Sequence, residues 1–371
     1  VRGGRTFSFS SAAGIRHQYP TYIIGKKEKI WQNKRNKYLG GTKMFKKLVV
    51  FSFILVFILT MGTVVFAQES EPKQLYFRFV THGGDDPFWA VVVKGAEDAA
   101  KLLNCKVDFD LVGGDLALQQ KRMQEAIAMN VDGIALVIND DTVWDKLVEE
   151  ALDKGIPVVA IDNDDTLGEK GNKRLTYIGQ DEFKAGYDLA VRLFEEGKKK
   201  GIDLSKAHVA MPVEVPGAMY GMVRADGVKK AMGEYGITSS EIIDAGGLEM
   251  TTVEQRLTSY LISHPEVTFL IGLGGIVTDR LTDAIKAVGR QPGEIIAGGF
   301  DMTPGTLVGL KEGYITAAID SQQYLAGFYG VLVLYHYKLY GFLPTVKTGG
   351  FLIDSPEKIK QIEALSKDYI R

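Results

Sequence analysis

The sequence predicts an α/β protein with two doubly wound parallel-sheet lobes. Three observations lead there. From residue 75, short apolar runs alternate with segments of helical period. The first four runs begin 30, 28 and 24 residues apart, the length of a strand–helix unit. The same series then starts again near residue 207.

The first series places strands at 75–80 (LYFRFV), 105–111, 133–138 (GIALVI) and 157–161 (PVVAI). They are continuously apolar rather than alternating, as expected of strands covered on both faces. Between them, Phe88, Val92, Ala96, Ala99 and Leu103 share one face of a helix over 88–103, and 116–129 and 142–153 are also helical. The two series join near Tyr177-Ile178-Gly179-Gln180. The second places strands at 207–211, 241–245, 268–273, 294–300 and 315–319, with helices at 217–235, 252–263, 276–288 and 303–311. Two long helices, 182–199 and 322–340, stand outside this count. The latter is apolar almost all round, through Tyr324, Leu325, Phe328, Tyr329, Val331, Leu332 and Leu334. A membrane span would share that pattern, but Gln322, Gln323, His336 and Lys338 interrupt it and favour a buried packing helix.

The chain has 371 residues, 44 basic against 46 acidic, and a net charge of −2. Residues 1–47 hold 12 Lys and Arg and the single acid Glu28; residues 48–67 hold no charge; the remainder holds 32 basic and 45 acidic residues. Such an acidic body argues against nucleic acid as a partner. Residues 44–70 have a short basic start, an apolar run from Leu48 to Ala67, and a small-residue end at Val65-Phe66-Ala67 followed by polar residues. This is the layout of a signal peptide, with cleavage expected after Ala67. The run is 20 residues long, so a retained anchor is the alternative. Residues 1–43 are expected to be a spurious or disordered basic leader ahead of a start at Met44, because Gly40-Gly41 can be encoded as a ribosome-binding site two codons before Met44; a nucleic-acid- or membrane-binding basic arm is the alternative. The single cysteine, Cys105, excludes an intrachain disulfide and a cysteine-based metal centre. None lies near the end of the apolar run, which excludes a lipid anchor on a new N-terminal Cys.

Open parallel sheets bind ligands at the carboxyl ends of their strands. That rule selects Thr81-His82, Asn139-Asp140-Asp141, Asp162-Asn163, Gly272 to Gly275, Asp301 and Asp320-Ser321. These are carboxylates and amides, with no nucleophile–base pair, so an enzyme is not expected. Such groups accept and donate several hydrogen bonds at once, which suits a polyhydroxylated ligand. Singly, Asp and Asn are also ordinary helix caps and turn residues; their recurrence at successive strand ends favours a site. Gly272-Leu273-Gly274-Gly275 lacks the dinucleotide-binding spacing. Asp162 to Asp165 lack the twelve-residue loop of a calcium site, and the histidines lack metal-ligand spacing. No metal and no cofactor are expected.

Several segments now carry a resemblance. Asp86-Pro87-Phe88-Trp89 opens the first helix, followed by Gly155 to Asn163, Tyr177 to Asp181, Arg224-Ala225-Asp226-Gly227, His264-Pro265-Glu266-Val267, Gly299 to Pro304 and Ala317 to Gln322. Together they resemble, in order and over 72–355, the ribose-like periplasmic binding proteins, the solute receptors of ABC transporters. The resemblance implies a three-strand hinge with crossings near 179–181, 320–322 and 345–350. The N-terminal lobe would be 68–179 plus 322–347, and the C-terminal lobe 180–321 plus 348–371. A sugar would be trapped between them by hinge closure.

The resemblance also implies roles. Phe88 and Trp89 would sandwich a sugar ring, whose C–H face is apolar. Asp86, Asp162, Asn163 and Asp301 would bind hydroxyls, and the planar fork of Arg224 would hold two oxygens. His82, Gly274, Ser321 and Gln322 complete the set. Gly274 stands where ribose receptors carry a ligand-binding Asn, Asn163 where they carry an Arg, and Asp86 where they often have Asn. The receptor aromatic after residue 245 aligns near Leu248-Glu249. Ribose itself is therefore not expected; another pentose, a hexose or a sugar alcohol stays open. The implied partners are a monosaccharide or polyol and an ABC permease of the inner membrane, with the receptor a periplasmic monomer. A sensor serving a chemoreceptor or kinase, and a receptor for a non-sugar polar ligand, are the alternatives. A transcriptional regulator of the same fold would need a helix-turn-helix where the signal segment stands. Arg224→Ala and Asp301→Ala are each expected to weaken binding with little loss of fold.

Overall fold

Twelve strands form two six-stranded sheets in the computed structural model, which describes residues 74–84, 87–368 and 370. The leader at 1–43, the signal segment at 44–67 and Asp86 lie outside the described residues.

The first lobe runs β1 (Tyr76–Thr81), α1 (Pro87–Leu103), β2 (Lys106–Leu111), α2 (Leu116–Ala128), β3 (Gly133–Leu136), α3 (Asp145–Asp153), β4 (Val158–Ile161) and β5 (Tyr177–Gly179). After the crossing come α4 (Glu182–Lys199), β6 (His208–Val213), α5 (Met219–Tyr235), β7 (Ser239–Asp244), α6 (Met250–Ser263), β8 (Val267–Ile271), α7 (Gly275–Ala287), β9 (Ile296–Phe300), α8 (Pro304–Glu312) and β10 (Ile315–Asp320). The chain ends with α9 (Gln323–Tyr340), β11 (Val346–Lys347), β12 (Phe351–Ile353) and α10 (Pro356–Ser366).

The strand orders are β11-β5-β4-β3-β1-β2 and β12-β10-β9-β8-β6-β7. The two series are thus the same arrangement built twice. All pairs are parallel except β12, which lies antiparallel on β10. The apolar runs are explained by cover on both faces: in β1, Phe77 and Phe79 enter one core and Val80 another; in β3, Ile134 and Leu136 face opposite to Ala135.

Two helix crossings are close. α9 comes from the second half yet packs on α1, with Tyr324 Oη donating to Asp98 at 2.9 Å. Backbone meets backbone there. A Cβ on Gly95 would stand 2.0 Å from the Tyr324 carbonyl oxygen, and one on Gly327 would stand 1.9 Å from that of Val92. α4 follows directly on the first crossing and packs on α5 in the same way: a Cβ on Gly186 would stand 2.2 Å from the Arg224 carbonyl oxygen, and one on Gly227 would stand 2.1 Å from that of Phe183. Only glycine permits such approach. Among the described residues no helix is long and apolar enough to cross a membrane; the apolar girth of α9 is spent on α1 and on the sheet beneath it.

The chain crosses between lobes three times, near 180, 322 and 348. Gln180 bridges all three: its Nε2 donates to Ser321 Oγ at 3.3 Å, and its Oε1 accepts from Gly350 N at 2.9 Å. Strands β5, β11 and β12, with three, two and three residues, are too short to show as apolar runs. The crossing expected over 345–350 therefore also carries a strand of the first sheet at its start. Most other boundaries lie within three residues of those expected.

Candidate functional site

The carboxyl ends of β1, β4, β6 and β9 and the first turns of α1, α5 and α7 converge on one cleft. Its non-atom space, open solvent included, is about 670 Å³. His82, Phe88, Trp89, Asp162, Asn163, Arg224, Gly274 and Asp301 all line it. Ser321 and Gln322 do not. Ser321 lines a smaller adjoining cavity of about 240 Å³ with Gln180, Glu182 and Gln323. Gln322 is a hinge residue whose Oε1 accepts from Gly349 N at 3.0 Å. Gln323 is the one that turns toward the cleft, donating from Nε2 to Asp301 Oδ1 at 3.3 Å. The expected contact is thus displaced one residue along the chain.

The two lobes place matched positions at the cleft. His82 follows β1, and Glu214 follows the equivalent β6. Asp162 follows β4 and Asp301 follows β9, both in the left-handed backbone region (φ +64° and +73°), which Asp tolerates better than most residues. Each sharply turns the chain at a strand end.

On the first lobe the wall is aromatic. Phe88 is half-buried, while Trp89 is 3% exposed and belongs to the lobe core. Trp89 meets His82 edge-on at 5.5 Å and Phe88 at 5.3 Å. Trp89 therefore backs the wall more than it faces a ligand. Gly83 leaves its space: a Cβ there would stand 2.4 Å from the indole. Burial pushes the His82 imidazole from 6.5 down to about 4, so the ring is neutral at pH 7.

On the second lobe the wall is ionic. Arg224 donates from Nε to Glu182 Oε2 at 2.5 Å and from Nη1 to the Leu273 carbonyl at 2.8 Å. It lies 4.0 Å over the Phe300 ring and 5.1 Å over that of Tyr220. Two of its donors are thus committed to protein, which restricts the fork expected for ligand oxygens. Burial raises the carboxyls of Glu214 to about 7 and Asp301 to about 6, with Arg224 pulling both down.

Gly274 explains one departure from the ribose-receptor pattern. A Cβ there would stand 2.1 Å from Glu214 Oε1. The volume of a side chain at 274 is thus taken by the Glu214 carboxylate arriving from the neighbouring strand. Near 248 the cleft is lined by Leu248 and Met250. Glu214, Tyr220 and Asp279 are lining residues that sequence reasoning missed. Glu214 had a signal. The apolar run predicts a strand end at 211, whereas β6 continues to Val213, so the true strand end falls just before Glu214.

Three buried polar atoms in this cleft have no hydrogen-bond partner: His82 Nδ1, Asn163 Nδ2 and Glu214 Oε2. They come from both lobes. Native proteins rarely leave such atoms unpaired, because each costs free energy. A ligand rich in donors and acceptors is what this arrangement can satisfy.

Comparison with known proteins agrees with this geometry. A family model described as a periplasmic binding protein domain matches residues 77–339. The chain is 28% identical over 273 residues to the xylose/arabinose-binding protein XylF of Sulfolobus acidocaldarius, covering 70% of this chain and 65% of that relative's length. Its structure is similar to that of a carbohydrate transporter from Acidothermus cellulolyticus in complex with myo-inositol, with a TM-score of 0.71, 25% identity, and coverage of 80% of this chain and 100% of the other. It is similar also to GanP, a glucose-galactose binding protein from Geobacillus stearothermophilus, with a TM-score of 0.65, 25% identity, and coverage of 76% and 98%. With its two six-stranded lobes, its triple crossing and a cleft between strand ends, the chain belongs to the periplasmic binding protein domain family.

Proposed function

We propose that the protein is an exported receptor that captures a monosaccharide or sugar alcohol between its lobes and delivers it to an ABC transporter permease. The observation that carries this reading is the convergence of unpartnered His82 Nδ1, Asn163 Nδ2 and Glu214 Oε2 beside the exposed edge of Phe88. Hydroxyl groups act as donor and acceptor together and can pair with all three. The Phe88 ring offers an apolar surface to the C–H face of a sugar. Relatives that bind xylose, arabinose or myo-inositol support the ligand class. His82, Phe88, Asp162, Asn163, Arg224 and Asp301 are the residues assigned to binding, with Glu214 and Tyr220 added.

Export follows from the apolar segment at 48–67 and the small-residue end at Ala67. Closure would bend the chain at the three crossings that Gln180 bridges. A thermal-shift panel of pentoses, hexoses and polyols tests the reading. A ligand at 100 times its dissociation constant stabilises the folded state by about 2.7 kcal/mol. If no member of the panel raises the melting temperature, the receptor assignment is wrong.

A further inference from the structure

One buried carboxyl of the cleft, Glu214, has no ion-pair partner among the described residues. Glu214 is 4% exposed, and its Oε2 has no hydrogen-bond partner. Asp162 and Asp301 line the same cleft. Among the described residues that line it, Arg224 is the only permanent cation. That charge is already held by Glu182, at 2.5 Å. Asp279 has its own partner in Arg280. Glu214 thus feels Arg224 only at a distance and has no ion-pair partner of its own among the described residues.

A neutral polyol supplies donors to this carboxylate but no charge. A buried carboxylate without a counter-ion is costly, and a charge-assisted hydrogen bond is stronger than a neutral one. The surroundings also favour a cation: Phe88 and Tyr220 line the same cleft, and aromatic ring faces attract positive charge. Glycine at 274 is what lets the carboxylate stand where it does, since any Cβ would collide with it.

We propose that Glu214 forms a subsite for a protonated amine, so that the preferred ligand is an amino sugar or amino polyol rather than its all-hydroxyl counterpart. This rests on the receptor reading above: the polyhydroxylated body of the ligand is held as described there, and the amine is held by Glu214.

Calorimetric titration of the full chain at pH 7 tests it with matched pairs: D-glucose and D-glucosamine, D-galactose and D-galactosamine, myo-inositol and a monoamino-inositol. The amine should bind at least about tenfold more tightly in one or more pairs. Glu214→Gln, which keeps the shape and removes the charge, should shrink that preference to within about threefold. Should that variant fail to fold, Gly274→Ala, which pushes the carboxylate aside, is expected to do the same. If the neutral member binds as well or better in every pair, the amine subsite is overturned while the receptor reading stands. A preference that survives both variants also overturns it. Binding by neither member of any pair, together with a silent sugar panel, removes the receptor reading as well.

Discussion

The two lobes share one topology but present opposite chemistry to the cleft. The position after the first strand is a neutral His82 in one and a carboxyl, Glu214, in the other. The helix after that strand brings Phe88 and Trp89 in one lobe, and Tyr220 and Arg224 in the other. The strand ends supply positions, and the residue types supply an aromatic wall and an ionic wall. The comparison teaches that the fold's internal symmetry belongs to the backbone. It holds at the close helix crossings, where Gly95 and Gly327 repeat Gly186 and Gly227, and breaks wherever a side chain enters the cleft.

The sharpest break in that comparison is the buried ion pair, which exists in the second lobe alone among the described cleft residues. Arg224→Ala strands Glu182, whose side chain is 11% exposed. Removing one partner of a buried pair costs about 3–5 kcal/mol, so the variant should lose stability of this order in denaturant unfolding as well as ligand affinity. This corrects the expectation that Arg224→Ala would leave the fold little changed. Full retention of stability would show that the pair is solvated.

Next in size is the test of symmetry itself. Gly327→Ala in the first crossing and Gly227→Ala in the second both drive a Cβ into a carbonyl oxygen. Overpacking of this kind costs about 1–3 kcal/mol. Urea midpoints should fall by similar amounts for the two. A large effect at one crossing only would mean that the two are not equivalent.

The walls can then be separated by binding. Asp301→Ala removes a group held by Gln323 and lined into the cleft, and should weaken ligand binding by about 1–3 kcal/mol. Phe88→Ala should cost about 1 kcal/mol, since only ring contact is lost. Unchanged calorimetric affinity in both would place the ligand elsewhere.

A separate test distinguishes the two equivalent strand-end residues by pH. His82 is lowered from 6.5 to about 4 in the folded state, so between those values the unfolded chain binds more protons, and this residue makes stability rise with pH. Glu214 is raised from 4.5 to about 7, so over that span the folded chain binds more protons, and this residue makes stability fall with pH. Thermal melts from pH 4 to 7 should show His82→Asn removing the rising contribution and Glu214→Gln the falling one. Identical slopes in the two variants would contradict the assignment.

Much of the site was legible because the strand-end rule is geometric. Asp162, Asn163, Gly274 and Asp301 follow from where apolar runs stop. Glu214 is hidden because Pro212 and Val213 extend β6 beyond the apolar run at 207–211. Tyr220 and Asp279 are hidden because they sit within the first two turns of helices, where no apolar boundary marks them. Gln322 and Gln323 could not be told apart by sequence, since neighbouring residues on a left-handed turn point in different directions; Gln322 itself has φ +54°.

The sequence by itself determined the fold class, the two repeats and most of the strand ends, because apolar periodicity is a local property that each segment carries alone. The acidic body and the apolar segment before it were equally plain. Only the tertiary structure decided that Arg224 is bound to Glu182, that Gly274 yields its space to Glu214, and that glycines let α9 and α4 pack closely on α1 and α5. These are contacts between residues tens to hundreds of positions apart. Their energetics depend on distance and burial, which no periodicity records.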